Sequence, residues 1–560
     1  MGVKHIMRFR LHFRREHSIH FGLLLVIALL AFSTRILPIA ISPLPYNNDG
    51  LTECRIAQDI AISGNLEYVE GSYYADTHSI ITPAYDVLLA FTSLVIGTET
   101  YDIAQLSVGI FSMVTIICIY LLTLELTGSR KSALISALFL GLFGTFVYLT
   151  GSTWKESLGV ALLTLFYYSY VKRADKRMLI LGILVLGILP FVHHLVTIMA
   201  YLSFAFFTLW SLFFAWRNNI VRTRHWVDLA VLMAISAIAL GYYKLKSHDR
   251  IVYFSDPIGL TTLLISFAVL FALACIILSQ KRHARMTFAP IPAIAVFALF
   301  VVDYVHPIFP YTSGSPVYTL LLAGAMSIMI SVAWFGFENI IESKSRYRAI
   351  PLGLLLPTMT FLLFAVLKGF NTTSHWMLYR SFDFADIGLA VGIGLALMHF
   401  APRPRVQVLL TVIVLVLLVI TFPFGYFTSE LVGIRHDTQQ YETDAFDWIA
   451  ANTDGLYSVQ TDERLSYVAM AWSNFEKIPY LPSRISGDGL LGKGAYYVLE
   501  TEWTTIGVND YPRGHPVLDP VEVKMILESS QVCYLGGPFD NQLAFFYTST
   551  DGQDAIFGYH

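Results

Sequence analysis

Up to about residue 427 the chain alternates long apolar runs with short polar connections, and beyond it the alternation stops. The first run, Phe21 to Ile41, has about the ~20 residues that a membrane-spanning helix needs. It follows Lys4, Arg8, Arg10, Arg14 and Arg15, and it ends in Pro43, Pro45 and Tyr46 rather than in a small-residue cleavage pattern. A signal peptide carries a shorter apolar core of about 7–15 residues, so this run reads as a retained first helix. Further spans fall near 103–126, 132–150, 157–171, 178–192, 195–216, 227–243, 259–279, 287–305, 316–337, 350–367, 383–400 and 406–427, about thirteen in all.

Basic residues set the expected orientation, because cytoplasmic loops collect Lys and Arg. The basic N-terminus places residue 1 inside. Arg130-Lys131, Lys172 to Arg177, Arg217 to Arg224, Lys281 to Arg285, Lys344 to Arg348 and Arg403 with Arg405 follow, each pair of sites enclosing room for two helices. All can lie inside if Ile81 to Gly97, a run of about 17 residues carrying Asp86, does not cross. That run is therefore expected at the outer interface. The expectation is a mainly α, polytopic protein with its N-terminus in and C-terminus out. Residues 1–427 form its membrane domain, with a large first external loop over 43–102.

From residue 428 to 560 charged and Gly/Pro residues return and no run can span. Thr443 to Asn452 reads as an amphipathic helix with Thr443 as its N-cap. Leu456–Gln460, Ala495–Glu500, Val532–Leu535 and Leu543–Thr548 read as strands, giving a small external α/β domain.

Composition agrees with a membrane protein: 14% of the 560 residues are charged and 55% are hydrophobic, where a soluble chain has about a quarter charged. The formal net charge of −3 and the lack of a free basic tract give no reason to expect a nucleic-acid partner. Cys54, Cys118, Cys275 and Cys533 show no metal spacing. Cys54 and Cys533 would both be outside, so a bridge between them is open, with two unpaired thiols the commoner outcome. Asn371-Thr372-Thr373 is a glycosylation sequon, a weak three-residue match.

The polar residues expected at the outer ends of the helices are the unusual ones. Asp49 and Glu53, four apart, share a face if a helix begins near Asp49. The same loop carries Asp76 and His78. Lys155 and Glu156 head the fourth span, His193 and His194 follow the fifth, and His375, Tyr379, Arg380 and Asp383 lead into the twelfth. Ionisable groups at membrane depth are costly and mark functional pathways. Each also has an ordinary reading: Asp49 as a helix cap, Lys155-Glu156 as an interfacial charge pair, the histidines as packed groups, Arg380 as an i,i+3 partner of Asp383. Carboxylates there can bind a divalent metal or take a proton from a hydroxyl, and an arginine can hold a phosphate by a two-pronged fork.

A first outer loop opening on an acid (YNNDGLTE), a proline-marked helix later in that loop (THSIITPAYDVLLAF) and an acid motif in the second outer loop (TGSTWKES) together resemble the GT-C class of membrane glycosyltransferases. The resemblance covers roughly residues 20 to 200, with LYRSFDF near 380 consistent with it. It implies transfer of a hexosyl or pentosyl unit from a polyprenyl-phosphate donor to a glycan, lipid or protein acceptor on the extracytoplasmic face of the cell membrane. Asp49 would be the catalytic acid or base, Glu156 the second-loop carboxylate with Glu53 nearby, and Arg380, with Lys155, the donor-phosphate clamp. Asp76, His78, His193, His194, Tyr379 and Asp383 would contact substrate. Asn-Asp stands where many relatives have Asp-Glu or Asp-x-Asp, so a divalent Mg or Mn on Asp49 and Glu156 stays open. Oligosaccharyltransferase-like transfer from a lipid pyrophosphate is the enzyme alternative, although its Trp-Trp-Asp-Tyr-Gly motif is absent. A transporter or flippase is the alternative of another class, and it would place its charges at the bilayer midplane and show repeats.

Overall fold

The structure, a computed structural model, describes residues 15–40, 42, 44–66, 81–219, 223–246, 257–287, 290–305, 317–342, 347–369, 372–426, 437–452, 459–473, 495–500, 503, 521, 531–536 and 543–548. Helices occupy each of the expected apolar stretches. They are α1 (Arg15–Ile36), α4 (Thr100–Thr127), α5 (Arg130–Leu142), α6 (Gly144–Gly151), α7 (Lys155–Val171), α8 (Lys176–Val192), α9 (His194–Arg217) and α10 (Thr223–Lys246). After these come α11 (Pro257–Ser279), the short α12 (Arg282–Thr287), α13 (Pro290–Val305), α14 (Val317–Glu342), α15 (Ile350–Lys368), α16 (Thr372–His399) and α17 (Pro404–Thr421). Two more, α2 (Asn48–Ser63) and α3 (Ala84–Ile96), belong to the first loop.

Among the described residues nine helices are long and apolar enough to cross a membrane, or ten if α5 and α6 count as one bent span. Thus the chain is a mainly helical, polytopic membrane protein. The helices α7, α8 and α13, of 17, 17 and 16 residues, reach about 24–26 Å at 1.5 Å per residue, just short of the ~30 Å hydrocarbon core. With 13 residues, α3 is far too short to cross. It buries Tyr85, Asp86, Leu89, Ala90 and Ser93 while exposing Phe91, Leu94 and Val95.

The third span departs from expectation. A single helix over 132–150 was expected, but it breaks at Phe143 and the halves meet at 62°. Gly144 lies against the Thr421 carbonyl, where any side chain would collide with backbone. The chain after α17 therefore wedges into the break, and both halves are apolar, so hydropathy does not reveal it.

Among the candidate spans the most enclosed is α16: 89% of its most apolar 18-residue stretch is buried, against 17% for the corresponding stretches of α10 and α11. Gly336 on α14 and Gly392 on α16 permit backbone-to-backbone approach, the small-residue packing that suits helices without a hydrophobic drive between them. Basic residues gather at one end of the bundle. Lys172 pairs with Glu125 at 2.7 Å and Tyr347 donates to the same carboxylate at 2.6 Å, while Arg173 pairs with Asp228. These contacts lie at the far end of α4 and α7 from Lys155 and Glu156.

After the bundle, α18 (Gln440–Asn452), α19 (Glu463–Ser473) and strands β1 (Val459–Gln460), β2 (Ala495–Glu500), β3 (Gln531–Gly536) and β4 (Leu543–Thr548) form a sheet of order β1-β2-β4-β3. β1 runs parallel to β2, and β2–β4 and β4–β3 are antiparallel. Thr443 is not the cap: the helix starts three residues earlier, and Glu442 reaches back to accept the Gln439 N–H at 2.9 Å. Arg464 joins the elements, donating to Glu442 at 2.8 Å and Glu500 at 2.6 Å with all three buried. This unit rests on the first loop, since Ser42 donates to the Thr438 carbonyl at 2.9 Å and Tyr101 packs on Trp472. Cys54 is a free, buried thiol, so it forms no bridge to Cys533.

Candidate active site

The site begins with a strained turn. Asn47 holds φ 100°, a conformation costly for any residue but glycine, and its side chain caps α2 by accepting the Asp49 N–H at 2.9 Å. Asp49 is thereby freed from capping and sits in the first turn of the helix. One residue on, Gly50 presses against the loop between α6 and α7. A Cβ there would lie 2.7 Å from Thr153 Cβ and 2.8 Å from its carbonyl oxygen. The Thr153 N–H also donates to the Tyr46 carbonyl at 2.8 Å.

Gln105 bolts these loops together from α4. Its amide donates to the carbonyls of Arg35 (2.6 Å) and Gly151 (2.7 Å), and its oxygen accepts from the Tyr46 N–H (3.1 Å) and Thr153 hydroxyl (2.6 Å). Arg35, fully buried, reaches the Thr150 hydroxyl and the Gly141 and Phe146 carbonyls. Sequence reasoning passed over both residues, although a lone polar group inside an apolar run is the signal that would have found them.

With the loops joined, three segments far apart in the chain converge. Arg380 lies with Nη2 3.6 Å from Asp49 Oδ2 and Nη1 3.9 Å from Glu156 Oε2. Its guanidinium stands 4.8 Å above the Trp154 ring, a cation–π contact that holds it in place. The carboxylate distances exceed hydrogen-bond length. Both oxygens of buried Glu156, and both of Asp383 one turn beyond Arg380, have no hydrogen-bond donor among the described residues. Buried acceptors left this way are suited to receiving donors from a bound molecule. Asp386 accepts from the Thr145 hydroxyl at 2.9 Å.

A second charge group supports the first. Lys155 Nζ contacts Asp86 Oδ2 at 2.8 Å and Glu53 Oε2 at 3.0 Å, with Asp86 fully buried. It ties α3 to α2 and α7, and it is engaged by carboxylates rather than open to a phosphate. Asp86, which the sequence marked as an oddity in the interface helix, becomes its anchor. Burial raises the Asp86 pKa well above the ordinary range, with Glu53 raising it further and Lys155 opposing. Asp49 leaves 43% of its side chain exposed. Desolvation there raises its pKa, Arg380 lowers it, and Glu53 raises it.

Of the remaining expected site residues, His193 caps α9, its Nδ1 accepting the Val196 N–H, and its ring lies 4.7 Å from that of His194. Asp76, His78 and the Tyr379 side chain lie outside the described residues. Among the described residues no group of three or more His, Cys, Asp and Glu side chains converges as metal ligands. Asp49 and Glu156 offer two carboxylates on either side of the Arg380 guanidinium, and a Mg²⁺ or Mn²⁺ held by them would complete its shell with water and phosphate oxygens.

No protein-family model and no curated protein sequence matches this chain. Solved structures do. An archaeal oligosaccharyltransferase from Archaeoglobus fulgidus, in complex with an inhibitory peptide and a dolichol-phosphate, is similar at TM-score 0.50 and 16% identity, over 83% of this chain and 65% of that one. An oligosaccharyltransferase of the same organism tethered with an acceptor peptide is similar at TM-score 0.51 and 14% identity, over 94% and 75%. The chain has the GT-C glycosyltransferase fold. A mycobacterial arabinofuranosyltransferase gives TM-score 0.49 and 14% identity over 96% of this chain and 40% of that one. This GT-C chain spans less than two thirds of the first of these structures.

Proposed function

We propose that the protein is an inverting glycosyltransferase that moves one sugar from a polyprenyl monophosphate to an acceptor hydroxyl outside the membrane. The observation that carries this reading is Arg380 lying between Asp49 and Glu156, three residues from three distant segments meeting within 4 Å. Asp49 takes the acceptor proton as the acceptor oxygen bonds to the anomeric carbon. On the opposite face the carbon–phosphate-oxygen bond breaks, and its electron pair leaves with the phosphate. Arg380, released from its loose carboxylate contacts, receives that growing charge through a charge-assisted fork.

Glu156 and Asp383, with acceptor oxygens awaiting donors, hold the sugar hydroxyls. Glu53 and Lys155 act as supports for Asp86 and α2 rather than as acid and clamp. His193 and His194 remain candidate sugar contacts at the head of α9, together with Asp76, His78 and Tyr379. No step is routed through a metal. Basic residues collecting at the bundle end opposite Glu156 support the outer-face placement.

A second reading draws on the two oligosaccharyltransferase neighbours, one solved with a dolichol-phosphate and the other with an acceptor peptide. It would have this chain move a glycan from a lipid pyrophosphate to asparagine. Purified protein, offered synthetic polyprenyl monophosphate and pyrophosphate sugars in parallel, separates the two. Turnover of the monophosphate, with the anomeric configuration inverted in the product, is expected. Turnover of the pyrophosphate alone, labelling asparagine, would replace the first reading by the second.

A further inference from the structure

A groove of about 430 Å³ runs between α11, α14 and α15 with the start of α13. Its walls are almost wholly apolar, and it opens sideways on the membrane surface, where Leu273, Ile291 and Val366 are 47–52% exposed. From Leu352 to Val366 the α15 wall is about 21 Å long at 1.5 Å per residue. One leaflet's hydrocarbon is ~15 Å deep, half of ~30 Å. A lipid chain therefore fits along it lengthwise.

Two polar features stand at one end. The indole N–H of Trp334, which lines the groove, is buried with no acceptor among the described residues. One helical turn further along α14, Glu338 marks the polar rim, where Arg285 pairs with it and with Glu342. Arg282 also pairs with Glu342. Lys281 and Arg348, each about one turn from groove-lining Leu278 and Leu352, have no carboxylate partner among the described residues. The Arg348 guanidinium stands 4.1 Å from the Phe214 ring, and burial and then the neighbouring Arg217 charge lower its pKa. The rim is thus positive, and the depth from Glu338 to Trp334, about 6 Å, matches the step from a phosphate to the oxygens that link a lipid's chains.

We infer that this groove holds one anionic glycerophospholipid of the surrounding bilayer, its phosphate against Lys281 and Arg348, a linkage oxygen on the Trp334 N–H and a hydrocarbon chain along α15. This site is separate from the sugar-transfer reading and does not depend on it. The test is native mass spectrometry of the full-length protein after incubation with vesicles of equal phosphatidylglycerol and phosphatidylcholine. One phosphatidylglycerol is expected to be retained about tenfold over phosphatidylcholine. Lys281→Gln and Arg348→Gln should each cut that preference about fivefold, and Trp334→Phe should lower retention without changing the preference. Leu355→Trp, which fills the groove, should abolish retention, whereas lipid-facing Leu264→Trp outside it should not. Equal retention of both lipids, indifference to these variants, no bound lipid, or a second protein copy in its place would each overturn the assignment.

Discussion

Replacing Gly50 by alanine tests whether the meeting of the start of α2 with the loop between α6 and α7 builds the site. The new Cβ would lie 2.7 Å from Thr153 Cβ, 0.7 Å short of the 3.4 Å at which ordinary contact begins, and 2.8 Å from the Thr153 carbonyl oxygen. Neither atom is the end of a flexible side chain, and Thr153 is fixed by Gln105 and by the Tyr46 carbonyl. The start of α2 must therefore move by most of an ångström. Asp49 moves with it, from a position already 3.6 Å from Arg380. A displacement of that size at a reacting group costs about 100-fold in rate, and overpacking costs about 1–3 kcal/mol of stability. The assay is single-turnover transfer from a synthetic polyprenyl-phosphate sugar, with thermal unfolding followed on the same preparation. Gly22→Ala, where an added Cβ meets nothing within 4 Å, is the control and should be silent. A Gly50→Ala protein that is folded and turns over within a few-fold of the parent would refute the idea that loop apposition positions Asp49.

Arg380→Ala removes a charge-assisted phosphate contact of about 1.5–3 kcal/mol, so the donor KM should rise some 10- to 100-fold; an unchanged donor titration would remove Arg380 from the phosphate site. The acid limb of the kcat/KM profile reports ionisation of Asp49, whose pKa burial raises, and activity should appear as pH rises through it. Arg380 lowers that pKa, so Arg380→Gln should move the limb to higher pH, and Glu53→Gln should move it lower; limbs that stay put in both variants would rule out Asp49 as the base. Lys155→Met strands Asp86, fully buried, without its cation, which should cost about 3–5 kcal/mol. Adding Asp86→Asn should recover much of that loss in a thermal melt, and a single variant as stable as the parent would show that the pair is not structural.

How far the sequence foretold this arrangement varies with the physics involved. Helix positions were legible because each apolar run declares its own length, and the parity of basic loops kept α3 out of the membrane count. Asp49, Glu156 and Arg380 were legible as ionisable groups near helix ends, where an apolar surrounding makes any charge conspicuous. Their convergence was not, because it depends on contacts with no local signature: Gly50 against Thr153, Gln105 tying together three segments of the chain, and Trp154 beneath Arg380. Lys155 shows the limit well. Its position was foreseen, but its ion pair with Asp86, 69 residues away in another helix, was not, and that pair is what favours a supporting role in the proposal. The break at Phe143 escaped notice since Gly144 looks ordinary until the Thr421 carbonyl is placed beside it.

Asp49→Asn keeps the shape of the side chain and removes the base, so it bears most directly on the account. Purified in the same lipid and given polyprenyl-phosphate sugar and acceptor, this variant should melt like the parent, bind the donor, and transfer at least 100-fold more slowly, as expected for loss of a general base. Transfer at near-parental rate by the folded Asp49→Asn protein would contradict the proposed mechanism outright.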